Sequence, residues 1–151
     1  MTAPRRSPEA ALGQPVLSWL AEEGWDTFQE VDAGGHVADI VATCGRLLAV
    51  VELKVALSFD LLYQARRWIP WAHMVWVGVP HAKRSDGRRM AERVFADYGI
   101  GVVTVDTGAC GRSLSGRADL FQRPEFNRRA KVDHVRRWLR PEHKTFAAAG
   151  S

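Results

Sequence analysis

Cysteine is scarce in this chain: two in 151 residues, Cys44 and Cys110. That is too few for a disulfide framework, and no second ligand stands at zinc-type spacing from either. Long hydrophobic runs are missing too. Nothing approaches the roughly 20 consecutive apolar residues that a membrane span needs. The opening Met1-Thr2-Ala3-Pro4-Arg5-Arg6 is not followed by the apolar core of a signal peptide. His36, His73, His81, His134 and His143 fall at no metal-ligand spacing. There is no Gly-rich phosphate loop, nucleophile elbow or zinc motif, and no internal repeat or low-complexity segment. A disulfide-stapled module and a helix spanning a membrane are therefore not expected. The default is a reducing, cytoplasmic setting and a domain of ordinary size, which at this length buries roughly 68–70% of its unfolded surface.

Charge is present but unevenly placed. Residues 1–60 carry 4 Lys/Arg and 9 Asp/Glu, a net of −5; residues 61–151 carry 17 and 8, a net of +9. An acidic front half suits a cation, and a basic back half suits a polyanion such as nucleic acid. A solvated basic surface is the plain alternative.

Periodicity and punctuation predict the elements. A helix runs over Pro8–Glu23, with Ser7 as N-cap, Pro8 at its first position and Glu9 in its first turn. Leu12, Val16, Trp19 and Leu20 form its buried stripe, Pro15 threatens a kink and Gly24 ends it. Strands follow at Thr27–Val31, Val37–Thr43 and Leu47–Val55, with a turn at Ala33-Gly34-Gly35. The second and third are apolar on both faces, as a sheet covered on both sides requires. A helix from Ser58 to Trp68 stops before Pro70. Then come a strand at Met74–Val79, a helix at Asp86–Tyr98 ended by Gly99, a strand at Ile100–Val105, and a Gly/Ser-rich loop at Thr107–Arg117. The last helix is expected over Pro124–Arg140, with Phe126, Val132, Val135 and Leu139 on its apolar side. The fold class is α/β: a mixed central sheet flanked by helices, in the order α-β-β-β-α-β-α-β plus a C-terminal helix. Residues 1–106 form the core domain. Residues 107–151 add a loop, a basic helix and a tail that pack on it or extend from it.

The two central strands meet at Cys44-Gly45-Arg46-Leu47. Gly followed by another residue signals a two-residue type II′ turn. Cys44 then pairs with Leu47, and the same ladder sets Asp39 directly opposite Glu52, where cross-strand Cβ atoms are about 4.5–5.5 Å apart. Lys54, two residues on, shares that face. Two carboxylates at that range in apolar strands repel each other and lose hydration. One cation between them removes both problems. Mg²⁺ is commonly held by one or two carboxylates plus water and phosphate oxygens; it polarises a phosphodiester and generates hydroxide from bound water. Lys54 would neutralise phosphoryl charge or hold the attacking water. The alternative is a Glu52–Lys54 or Asp39–Lys54 ion pair at a strand end.

Ala38-Asp39 followed by Glu52-Leu53-Lys54, with twelve residues between the acids, resembles the PD-(D/E)XK nuclease superfamily. There an Asp, usually after Pro, lies on the second core strand and Asp/Glu-X-Lys on the third. Ala38 replaces the Pro. The superfamily core of helix, three strands, helix and strand matches residues 8–79, just over half the chain. The resemblance implies a restriction-endonuclease-like core in which Asp39, Glu52 and the backbone carbonyl of Leu53 bind Mg²⁺ (or Mn²⁺) and Lys54 assists the water. The product would carry a 5′-phosphate. Members similar to Holliday-junction resolvases carry a Glu on the first helix that reaches the metal. Glu9 fits, with Gln14 and Glu22 as weaker substitutes and a dipole-favoured surface charge as the alternative. Several branches carry a Gln on the helix after the Lys strand, here Gln64, which is otherwise a solvated helix residue. Arg66, Arg67, Lys83 and Arg84 are the candidate phosphate contacts, positioning a backbone without reading sequence.

The resemblance therefore implies a metal-dependent DNA endonuclease or exonuclease of a repair, recombination or phage type. It would be structure-selective or non-sequence-specific, with DNA as partner, no membrane and a homodimer as the expected assembly. A binding module of the same fold that does not cut is the second reading. A small α/β regulatory protein with a coincidental acidic pair is the third. Trp68, Trp71 and Trp76 are expected in the core, and Tyr63 is ambiguous between packing and base stacking.

Overall fold

The computed structural model describes residues 9–107 and 116–144. Ser7 and Pro8, expected to begin the first helix, lie outside that range, as do Cys110, most of the loop after residue 107 and the tail beyond residue 144.

Helix α1 spans Ala10–Glu22, with Glu9 at its N-cap position but no side-chain capping bond. It continues through Pro15, so the expected kink does not divide it, and Gly24 at φ 93° turns the chain out of it. Strands β1 (Asp26–Asp32), β2 (Val37–Cys44) and β3 (Leu47–Leu53) form an antiparallel meander. Ser58 caps α2 (Phe59–Arg66) by accepting from the Leu61 N–H, and a 3₁₀ turn at Ile69–Trp71 follows. Strand β4 (Met74–Pro80) returns parallel to β3, α3 (Asp86–Asp97) follows the Ser85 cap, and β5 (Gly101–Asp106) lies parallel to β4. Together with β6 (Arg117–Gln122), antiparallel to β5, they make one mixed six-stranded sheet in the order β1-β2-β3-β4-β5-β6. A four-residue helix, α4 (Asp133–Arg136), follows.

The mixed α/β sheet flanked by helices is thus as expected, and alternation along the strands builds two apolar layers. Ile40, Ala42, Ala49 and Val51 point to α1, where they meet Leu12, Val16, Leu17 and Leu20. Val41, Leu48 and Val50 point the other way, to Leu61, Ala65 and Trp68 of the α2 segment, Phe95 of α3 and Val135 of α4. Trp68 and Trp76 are core residues as expected, while Trp71 is only partly buried. Gly101 permits one of the tightest contacts: a Cβ there would lie 2.4 Å from the Trp76 ring.

The C-terminal region departs from the expected single helix over Pro124–Arg140. A strand that periodicity did not reveal, β6, extends the sheet edge. Beyond it the chain is mostly irregular and pinned by tertiary hydrogen bonds. Asn127 donates to the Ile69 carbonyl from its side chain and to the His73 carbonyl from its backbone, and the Lys131 N–H donates to Pro70. Phe126 stacks on His73 with ring centroids 5.3 Å apart. The apolar residues are used, but by a strap across the 3₁₀ turn rather than by one helical face. No helix among the described residues is long and apolar enough to cross a membrane.

Candidate active site

The β2–β3 hairpin has the predicted register. Cys44 pairs with Leu47 and the ladder runs regularly to Ile40 opposite Val51. Gly45 has φ 59° and Arg46 is not among the residues with positive φ, the pattern of a type II′ turn. One step past Ile40 and Val51 the backbone ladder ends and side chains take over. Asp39 Oδ2 accepts the Leu53 N–H at 2.8 Å. Glu52 lies beside Asp39 on the α2 side of the sheet, and its Oε1 accepts the indole N–H of Trp68 at 2.8 Å. The strand stops at Leu53 rather than at Val55 as expected. Lys54 lies just beyond, its N–H donating to the Gly78 carbonyl of β4. No ion pair joins Lys54 to Asp39 or Glu52 among the described residues, so the plain alternative for this motif does not form.

Glu52 is 4% exposed. Burial, reinforced by the Asp39 charge and by a hydrogen bond to the Asp39 side chain, pushes its carboxyl up to about 9; the Trp68 bond and the Arg67 charge pull it partway back. At neutral pH that environment favours the protonated Glu52 carboxyl.

The open end of the hairpin forms the floor of a cleft of about 900 Å³. Asp39, Glu52, Leu53 and Lys54 line it, with Glu9 and Gln14 from the α1 segment and Gln64 and Arg67 from α2. Five residues read from sequence as catalytic — Asp39, Glu52, Lys54, Gln64 and Glu9 — thus share one cavity. Of the four candidate phosphate contacts, only Arg67 borders it. Arg66 leans over the Tyr98 ring at 6.0 Å. Lys83 is exposed after β4. Arg84 is held by Glu92 in an ion pair of 2.8 Å and lies over Phe121, away from the cleft.

Sequence reasoning missed Glu30, Asp60 and the Trp68 bond. Glu30 lines the cleft and sits at the β1 position facing Asp39, between the Gln29–Ile40 and Val31–Ala38 pairs. Its φ of 51° is the sole positive value among described non-glycine residues. Burial and the Asp39 charge raise its carboxyl above the ordinary range. Extending the register back from the Ala33-Gly34-Gly35 turn would have found it. Nothing local marks Trp68 as a donor to Glu52.

The donor set fits a hard divalent cation. It consists of oxygens only: Asp39 Oδ1, Glu52 Oε2 and the Leu53 carbonyl, with open cleft volume for water. Among the described residues no group of three or more His, Cys, Asp or Glu gathers as a metal site, so a cation here would rest on two carboxylates, backbone and solvent or substrate oxygens. No family model and no curated protein matches the chain. A solved structure of Pyrococcus furiosus SfsA in complex with Ca²⁺ is similar at 12% identity and a TM-score of 0.42, over 74% of this chain and 60% of that one. The chain thus spans less than two thirds of that protein, and a likeness this distant carries no statement about activity or ligand.

Proposed function

We propose that this chain is a metal-dependent nuclease of the PD-(D/E)XK type that hydrolyses DNA phosphodiester bonds without reading sequence. One observation carries the reading. Where the β2–β3 ladder ends, Asp39 and the buried Glu52 stand side by side at the floor of a cleft that also holds Lys54, Gln64 and Glu9.

Asp39, Glu52 and the Leu53 carbonyl are the residues that would hold Mg²⁺ or Mn²⁺. When bound, the ion supplies Lewis-acid polarisation of the phosphoryl group. The chain's own residues do the positioning. The Leu53 N–H fixes one Asp39 oxygen and the Trp68 indole fixes one Glu52 oxygen, so the second oxygen of each is the one a cation would take. The Lys54 ammonium holds the attacking water or neutralises charge gathering on the phosphoryl oxygens. The Gln64 amide orients that water or a phosphate, and Arg67 receives a phosphate on the α2 wall. Cleavage on the leaving 3′-oxygen side yields a 5′-phosphate.

The binding-only reading draws on one observation: the Trp68 indole already supplies the buried Glu52 with a hydrogen-bond partner without a cation. Incubating the protein with supercoiled, linear, single-stranded and branched DNA in Mg²⁺, Mn²⁺ or EDTA separates the two. The nuclease reading expects metal-dependent scission that Asp39→Ala and Lys54→Ala abolish. Scission that survives Asp39→Ala removes this site from consideration. Binding without scission under every metal favours the binding module.

A further inference from the structure

Helix α2 presents a side that the core does not use. Leu61, Leu62 and Ala65 are buried against the sheet, and the opposite side carries Phe59, Tyr63 and Arg67 at successive i, i+4 spacing, with Arg66 beside them. Phe59 is 83% exposed and Tyr63 67%, among the most exposed large apolar side chains described. The buried residues of α2 are Leu61, Leu62 and Ala65, and neither ring belongs to them. Their neighbours are cationic. The Arg67 guanidinium lies 5.7 Å from the Tyr63 ring centroid, and Arg66 lies over Tyr98, itself 47% exposed. The stripe is continuous with the candidate active site, because Tyr63 and Arg67 also line the cleft. Asp60 shares the cleft wall, so the cationic end of the stripe is the Arg66–Arg67 end.

We propose that Phe59 and Tyr63, with Arg66 and Arg67, form a stacking rail for unpaired bases of single-stranded DNA leading into the Asp39–Glu52 cleft. The inference rests on the nuclease reading for its direction and names the substrate class: strands with unpaired segments, such as ends, flaps or gaps. Aromatic rings accept any base on their faces, and guanidiniums take the phosphates between stacked bases. A buried duplex offers no base face to such a rail. Charge complementarity selects this occupant: an apolar peptide would leave the two guanidiniums facing its apolar surface, whereas a nucleic acid strand supplies both a ring face and an anion at each step.

The test is equilibrium binding in EDTA, where scission does not intervene, to three labelled probes: oligothymidylate, an abasic strand with the same phosphates, and a duplex of equal length. The rail predicts that wild type binds oligothymidylate about fivefold or more tighter than the abasic strand. It predicts that Phe59→Ala/Tyr63→Ala loses this preference and that Phe59→Trp/Tyr63→Trp keeps it. Both side chains are solvent-exposed, and the thermal unfolding midpoint of each variant checks that the fold persists. Equal affinity of wild type for the thymidylate and abasic strands overturns the rail. So does an unchanged preference in the double-Ala variant. So does a wild-type dimer that the double-Ala variant dissolves in sedimentation without any change in DNA binding. The nuclease reading fails separately, by absence of metal-dependent scission, whatever the EDTA titrations give.

Discussion

The two ends of the β2–β3 hairpin are built from the same two strands and differ in what closes them. At the turn, Cys44 to Leu47, backbone hydrogen bonds run to the last residue and a positive-φ glycine reverses the chain. At the other end, the backbone ladder stops at Ile40 and Val51, and the Asp39 carboxylate closes the gap by binding the Leu53 N–H. The turn end needs only conformational compliance. The open end places a carboxyl that is nearly inaccessible to water beside a second one, an arrangement that penalises the ionised form of Glu52. Each acid has one oxygen held by the protein, Asp39 by the Leu53 N–H and Glu52 by the Trp68 indole, and both residues border the cleft.

The largest expected contrast is between substitutions at the two ends. Asp39→Ala should lower metal-dependent DNA scission on the order of 10³-fold while leaving the fold intact by circular dichroism. Gly45→Ala should lower stability by about 1 kcal/mol, since φ 59° is strained for alanine, and leave scission at the wild-type rate. Equal loss of activity in both would mean that the hairpin acts as a whole.

Next in size is the pH dependence of stability without metal. Glu52 is raised from its ordinary value to about 9 in the folded chain. Its contribution is therefore fully present below about 4.5 and is lost as pH rises towards 9. In EDTA the unfolding midpoint should fall across that window, Mg²⁺ should restore it at the alkaline side, and Glu52→Gln should flatten the slope. Glu30, raised for related reasons, adds a component of the same sign. A midpoint that rises with pH over the window would contradict the assigned environment of Glu52.

Trp68→Phe removes the indole donor and leaves Glu52 Oε1 short of a partner. A loss of about 1–3 kcal/mol is expected from the bond, with a further loss from the space left at a fully buried position. Chemical denaturation of wild type, Trp68→Phe, Glu52→Met and the Trp68→Phe/Glu52→Met pair isolates the coupling; additive losses would deny the interaction. The smallest effect belongs to Glu30→Gly. Relief of the left-handed conformation gains about 1–2 kcal/mol and the added chain entropy of glycine offsets about 0.5–1, so the variant should be slightly more stable. A clear destabilisation would mean that the Glu30 side chain holds β1 in place.

The hairpin and its acids were legible because the information is local. Gly45 sets the turn, the turn sets the register, and the register brings Asp39 to Glu52. Ser58 likewise announced α2. The C-terminal strap was illegible for the opposite reason. Phe126, Val132, Val135 and Leu139 have helical spacing, but Asn127 and Lys131 find partners in Ile69, His73 and Pro70, far away in sequence. Strand β6 is an edge strand with only Ala118 buried, so alternation is too weak to show it. Lys83 and Arg84 looked like phosphate contacts in a linear reading; the ion pair of Arg84 with Glu92 depends on the packing of α3. The sequence order of the acids was enough to find the cleft floor, while its rim, from Glu30 to the exposed face of α2, required the folded chain.

The most direct measurement is calorimetric titration of Mn²⁺ into metal-free wild type and Asp39→Asn at pH 7, each in two buffers of different ionisation enthalpy. A cation that displaces the Glu52 proton should bind wild type with release of about one proton, seen as buffer-dependent heat, and should bind Asp39→Asn far more weakly. Equal binding to both proteins, or binding to wild type with no proton released, would contradict the placement of a cation at the open end of the hairpin.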